Sequence, residues 1–126
     1  MLASVLAVAC GGTLGAVARF ATVSIMHRVL GSRYPYGTWV VNSLGSFLAG
    51  FLIILLTERF AVGDYWRLVL VVGFLGAYTT FSSFAWETWV LYQNGQVLAA
   101  ALNILFNNIG SLAMVLLGIY CGRLLS

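Results

Sequence analysis

Residues Gly73–Phe84 read GFLGAYTTFSSF, and the fold turns on how this stretch is understood. Long apolar sequence flanks it on both sides, yet it holds two glycines, a tyrosine, two threonines and two serines. Gly73 and Gly76 weaken a helix through backbone freedom, and the hydroxyls compete for its backbone hydrogen bonds. In a chain this apolar, the stretch belongs at membrane depth. Non-helical backbone survives there only where it is buried in protein or faces a wet cavity. The stretch therefore predicts an interrupted helix with a job to do.

Composition supports that setting. The 126 residues are 62% hydrophobic and 7% charged, with a mean hydropathy of +1.02. A soluble domain of this size needs far more charge. The six basic residues are all arginine (Arg19, Arg28, Arg33, Arg59, Arg67, Arg123), against Glu58, Asp64 and Glu87. The arginines are scattered rather than clustered, which argues against nucleic acid as a partner. Cys10 and Cys121 sit near opposite ends of the chain, with no spacing for a metal site or disulfide framework. The run LAVAC faintly resembles a lipoprotein cleavage box. No basic residue precedes it, as a secretory signal requires, so the first apolar segment is expected to stay.

A spanning helix needs about 20 mostly apolar residues. Four segments qualify, at about 2–26, 37–57, 68–92 and 97–121, in one all-α transmembrane domain covering 1–126. The connectors hold most of the charge and the sole proline, and Tyr34, Tyr36, Tyr65, Trp66 and Tyr92 fall near the expected interfaces. Four spans would place Arg59, Arg67 and Arg123 on one face of the membrane and Arg28 and Arg33 on the other. So even a split gives insertion little guidance. Either Arg19 or another feature sets one orientation, or the chain inserts both ways and pairs with an inverted copy of itself.

Small residues bear on the same choice. Gly11 and Gly15 form a small-xxx-small pair, and Gly37, Ser43, Gly45, Ser46 and Gly50 keep the second span thin. Such residues let transmembrane backbones approach closely, between chains or within one. Four short helices make a poor container for a pathway, so oligomerisation is expected.

Polar groups inside a bilayer are costly unless partnered, and their placement points to function. The second span carries Asn42. The fourth carries Asn103, Asn107 and Ser111 at i, i+4 and i+8, with Asn108 one step round, which makes one helical stripe. Singly these residues read as interhelical glue; together with the opening stretch they read as a polar pathway. Phe81 and Phe84 share roughly one face and could offer ring edges, the positive rim of the aromatic quadrupole, to a small anion. Glu87 could cap, pair within an assembly or line a pore mouth, and His27 beside Arg28 reads as solvated. No nucleophile triad, HExxH, P-loop or carboxylate pair is present, so an enzyme is not expected.

With those residues in hand, the chain resembles the Fluc/CrcB family of fluoride channels over essentially its whole length. The resemblance is carried by GGTLGAVARF (Gly11–Phe20), GTWVVNSLGSFLAG (Gly37–Gly50), GFLGAYTTFSSFAWE (Gly73–Glu87) and NNIGSLAMVLLG (Asn107–Gly118). It implies a four-helix protomer with a broken third helix, in an antiparallel, dual-topology homodimer with two fluoride pores. By the same resemblance, Phe81 and Phe84 match a phenylalanine pair whose ring edges meet fluoride, and Asn42 a pore asparagine that donates its amide. Ser82, Ser83 and Ser111 fall on an implied polar track. Gly76 and Thr79 match break positions whose backbone carbonyls, from both subunits, hold one structural Na⁺. Arg19 matches the GxxxR arginine, and Tyr78 departs from the aliphatic residue usual at its position.

The implied activity is passive fluoride export across a bacterial inner membrane. Fluoride enters a cell as neutral HF, ionises and leaves through the channel. Fluoride is small and strongly hydrated, so several weak donors must replace its water without one site holding it too tightly. The alternative is a small multidrug-type, proton-coupled four-helix exporter. That class needs a membrane carboxylate, typically in the first span, and none is there. A non-conducting assembly subunit would explain the small residues but not the polar stretch.

Overall fold

The computed structural model describes residues 1–60 and 63–125. Four helical segments are long and apolar enough to cross a membrane: α1 (Leu2–Leu30), α2 (Tyr36–Arg59), a third segment (Asp64–Gln93) and α5 (Val97–Leu125). The third comprises α3 (residues 64–78) and α4 (Ser82–Gln93). The helices outrun the apolar spans by up to four residues, because charged ends remain helical. His27 and Arg28 occupy the last turn of α1, where the Arg28 cation faces the negative end of the helix dipole. Gly31, at φ 85°, then ends α1 by donating its N–H to the His27 carbonyl at 3.0 Å.

The helices pair by close backbone approach. Gly50 of α2 lies against Val115 and Ile119 of α5, and Gly118 of α5 lies against Phe47 and Phe51 of α2. Likewise Gly11 and Gly15 of α1 meet the backbone of Val69 and Phe74 in α3. A Cβ at any of these glycines would strike main-chain atoms of the partner helix. These four glycines therefore serve packing inside one chain, and they no longer argue for association between chains.

Gly73 corrects a second expectation. A Cβ there would stand 2.7 Å from the Val8 carbonyl and 3.0 Å from the Gly12 nitrogen, so this glycine lets α1 and α3 touch. Gly76 is also helical, at φ −60° and ψ −35°. Neither glycine is where the helix unwinds.

Three stretches adopt the wider π-type turn: Leu55–Arg59, Leu68–Leu75 and Phe106–Gly110. In two of them a side chain takes the carbonyl that an α-helical N–H would use. Thr57 donates to the Ile53 carbonyl at 2.6 Å, Asn107 to Asn103 at 2.9 Å, and Asn108 to Ile104 at 2.8 Å. That competition opens the turn by one residue.

Most large apolar side chains face outward, where lipid tails would cover them. Beside buried apolar residues such as Val41, Leu75 and Leu91, the interior holds a polar centre, with Thr38, Asn42, Asn103 and Asn107 all buried.

Candidate functional site

The opening stretch leaves the helix after Tyr78. Thr79 is extended, at φ −81° and ψ 160°, and helical backbone resumes at Ser82. Five features hold this bend. Thr79 donates both its N–H and its hydroxyl to the Leu75 carbonyl, at 3.1 and 3.0 Å. Thr80 Oγ1 accepts the N–H of Ser83, in the first turn of α4, at 3.2 Å. Gly45 of α2 lets Thr79 lie flat, since a Cβ there would meet the Thr79 methyl. Tyr78 is buried, stacks on Phe74 with centroids 5.8 Å apart, and its hydroxyl lies 3.1 Å from that of Thr22 on α1.

Asn42 is the strongest link. Its Oδ1 accepts the N–H of Thr80 at 2.9 Å, and its Nδ2 donates back to the Thr80 carbonyl at 3.0 Å. The second Nδ2 hydrogen goes to Asn107 Oδ1 at 2.8 Å. Both amide hydrogens are thus engaged within the chain, so Asn42 orients the bend here. The network continues through α5. Asn107 donates to Asn103 Oδ1 at 3.0 Å, Trp39 Nε1 to the same oxygen at 2.6 Å, and Asn103 to Thr88 Oγ1 at 2.8 Å. Thr88 donates in turn to the Phe84 carbonyl at 2.8 Å. Each of these buried amides has a partner at both its oxygen and its nitrogen, which rigidifies a polar centre.

Beside the bend lies a recess of about 210 Å³, lined by Asn42, Ser46, Thr79, Thr80, Phe81, Phe84, Asn107, Asn108 and Ser111. It brings together seven residues singled out from the sequence: Asn42, Thr79, Phe81, Phe84, Asn107, Asn108 and Ser111. The rings of Phe81 and Phe84 meet edge to face, 5.2 Å apart at 73°. Phe84 is buried, whereas Phe81 is 73% exposed at the rim. Ser46 and Ser111 make no hydrogen bond among the described residues, so their hydroxyls are free to donate into the recess. Ser46 counted in the sequence only as a small residue.

The other expected residues stand elsewhere. Ser82 is exposed and Ser83 half-buried, and neither lines the recess. Arg19 is half-buried on α1. Glu87 accepts a hydrogen bond from Thr38 at 2.7 Å. It lines a separate recess of about 280 Å³ with His27, Arg33 and Trp86. Gly76 is exposed on the outer side of α3. Among the described residues no hydrogen bond reaches the carbonyl of Gly76 or of Thr79. Unpartnered main-chain oxygens are the ligand type that a hard cation prefers.

Sequence reasoning missed Trp39, Thr38 and Thr88. Each is held by a partner on another helix, at sequence separations of 64, 49 and 15.

Residues 6–119 match the family described as CrcB-like protein, Camphor Resistance (CrcB). A fluoride-specific ion channel FluC of Legionella pneumophila (strain Paris) is 49% identical over 118 residues, covering 94% of this chain and 88% of its own. Proteins of the same name show similar likeness. That of Hydrogenovibrio crunogenus is 44% identical over 94% of this chain and 89% of its own. That of Dehalococcoides mccartyi (strain BAV1) is 41% identical over 98% and 95%. These relatives are named as ion channels, not enzymes. With four helices of spanning length, the chain is a multi-pass membrane protein.

Proposed function

The chain belongs to the CrcB family, and from that membership we propose that it is a fluoride-selective channel giving passive export across a bacterial inner membrane. One observation carries the reading: no residue that lines the recess beside the bend is charged. Its chemistry is hydroxyls, amides and two aromatic rings. Weak neutral donors can replace the hydration of a small anion step by step, whereas a lysine or arginine would hold it. Ser46 and Ser111 supply free hydroxyls, and Asn42 and Asn107 fix the shape around them.

Fluoride efflux from liposomes loaded with equal fluoride and chloride tests this. The expected result is rapid fluoride loss with chloride retained and no dependence on a proton gradient. Comparable rates for the two anions defeat the proposal. Proton-driven movement of an organic cation would favour the exporter instead.

The recess is open at Phe81, so a second copy of the chain would complete it. We place that copy antiparallel, on the strength of the arginine split. One end of the bundle gathers Arg59, Arg67 and Arg123, the last within 3.7 Å of Glu58; the other carries Arg28 and Arg33. Single cysteines introduced into the connectors, in a background without Cys10 and Cys121, should label from both sides of the membrane. Adding two or three lysines to one connector should then shift labelling to one side. Uniform one-sided labelling of the parent rejects dual topology.

At the centre of that dimer, the bare carbonyls of Gly76 and Thr79 would hold a structural sodium ion, shared by the two copies. The ion supplies positive charge that satisfies oxygens left without donors by the bend. Exhaustive replacement of sodium by a much larger organic cation is expected to weaken the dimer or silence the channel, and Thr79→Ser to retain the ion. Full activity after depletion removes sodium from the account.

A further inference from the structure

A second, larger concavity lies on the far side of α5 from the recess and shares no residue with it. It has two adjoining parts. The membrane-depth part, about 560 Å³, is lined by Trp39, Leu102, Leu105, Phe106, Ile109 and Gly110. The outer part, about 620 Å³, is bordered by Arg33, Tyr34, Tyr36 and Gln96, and joins the first at Trp39 and Leu102.

Aromatic contacts run the length of this groove. The Arg33 guanidinium lies 5.5 Å from the Tyr34 ring centre. Tyr34 meets Tyr36 edge-on at 6.0 Å, Tyr36 meets Trp39 at 5.2 Å, and Trp39 meets Phe106 at 5.4 Å. The wall therefore passes from a cation, through two phenols, to purely apolar side chains. That sequence matches the profile of one bilayer lipid, from phosphate to acyl chain.

We propose that this groove is a binding site for an anionic phospholipid with a hydroxylated headgroup. One acyl chain lies along Trp39, Leu102, Leu105 and Phe106, and the phosphate meets Arg33, which has no ion-pair partner among the described residues. A zwitterionic headgroup carries its own cation, which competes with Arg33 for the phosphate, so charge complementarity selects the anionic class. Gln96 adds a second element. Its Oε1 is buried without a hydrogen-bond partner, and a turn of the side chain toward the groove gives it a headgroup hydroxyl to accept. A second protein copy is the less suitable occupant. The copy that completes the recess would sit against Phe81, Asn108 and Ser111, leaving the opposite wall of α5 to lipid.

Native mass spectrometry of the intact protein tests the site, after equilibration in detergent with equal phosphatidylglycerol and phosphatidylcholine. One phosphatidylglycerol should remain per chain, favoured roughly fivefold over phosphatidylcholine, the factor one interfacial cation provides. Arg33→Gln, at an exposed connector position, should erase that preference. Leu102→Trp, which fills the junction of the two parts, should remove retention of both lipids. Equal retention by the parent, or an unchanged preference in Arg33→Gln, overturns the proposal. So does efficient disulfide formation between chains by Leu105→Cys in a background lacking Cys10 and Cys121, because it would show a second copy in the groove.

Discussion

Isoleucine at both Phe81 and Phe84 is expected to cut fluoride efflux roughly 100-fold, the size of losing two aromatic interactions of about 1.5 kcal/mol each. Isoleucine keeps much of the volume and all of the apolarity, but it has no positive ring edge. The two positions separate flux from folding. Phe81 is 73% exposed, so Phe81→Ile alone should change the stability of a chain by no more than about 0.5 kcal/mol. Phe84 is buried and carries the packing cost, of about 1 kcal/mol for a near-volume swap. Liposome efflux and thermal melting in detergent, measured on both single variants and the double, resolve the two effects. If the double variant passes fluoride at the parental rate, the rings are packing only.

The second large effect is expected at Asn42. Asn42→Leu removes three hydrogen bonds, and strands the N–H and carbonyl of Thr80 as well as Asn107 Oδ1. Unsatisfied buried groups cost about 1–3 kcal/mol each, so the total is about 3 kcal/mol or more. Partners found elsewhere in the membrane will offset part of it. The bend should lose its fixed shape, and fluoride efflux should fall to background together with the melting temperature. Asn107→Leu strands fewer backbone groups and should be milder in both readouts. Parental stability in Asn42→Leu would mean that the clasp contributes nothing to the bend, and parental flux would mean that the bend does not shape the pathway.

Much of this architecture is legible in the sequence, for physical reasons that also mark where legibility stops. Four spans are visible because apolar length is a property of the chain alone; the final turns carrying His27, Arg28 and Arg123 are not, because charge hides their helicity. The stripe of Asn103 and Asn107 follows from spacing, and both are buried in the polar centre. Their partners Trp39 and Thr88 do not follow, since helix pairing decides them. Glycine is the most ambiguous signal. The same absent side chain permits unwinding or close approach, and only the neighbouring backbone distinguishes them. At Gly73 the neighbour is α1, and close approach wins.

The clasp at residue 80 has a consequence for variant data. Asn42 grips the peptide unit on both sides of the Thr80 Cα, N–H and carbonyl alike, and an alanine at 80 offers the same two atoms. Substitution tolerance at that position would report only on its hydroxyl, which serves Ser83. A saturation scan would thus score residue 80 as replaceable by anything but proline and residue 42 as indispensable, although the two are halves of one joint. In this chain the importance of a main-chain contact is recorded at the address of its side-chain partner, 38 positions away.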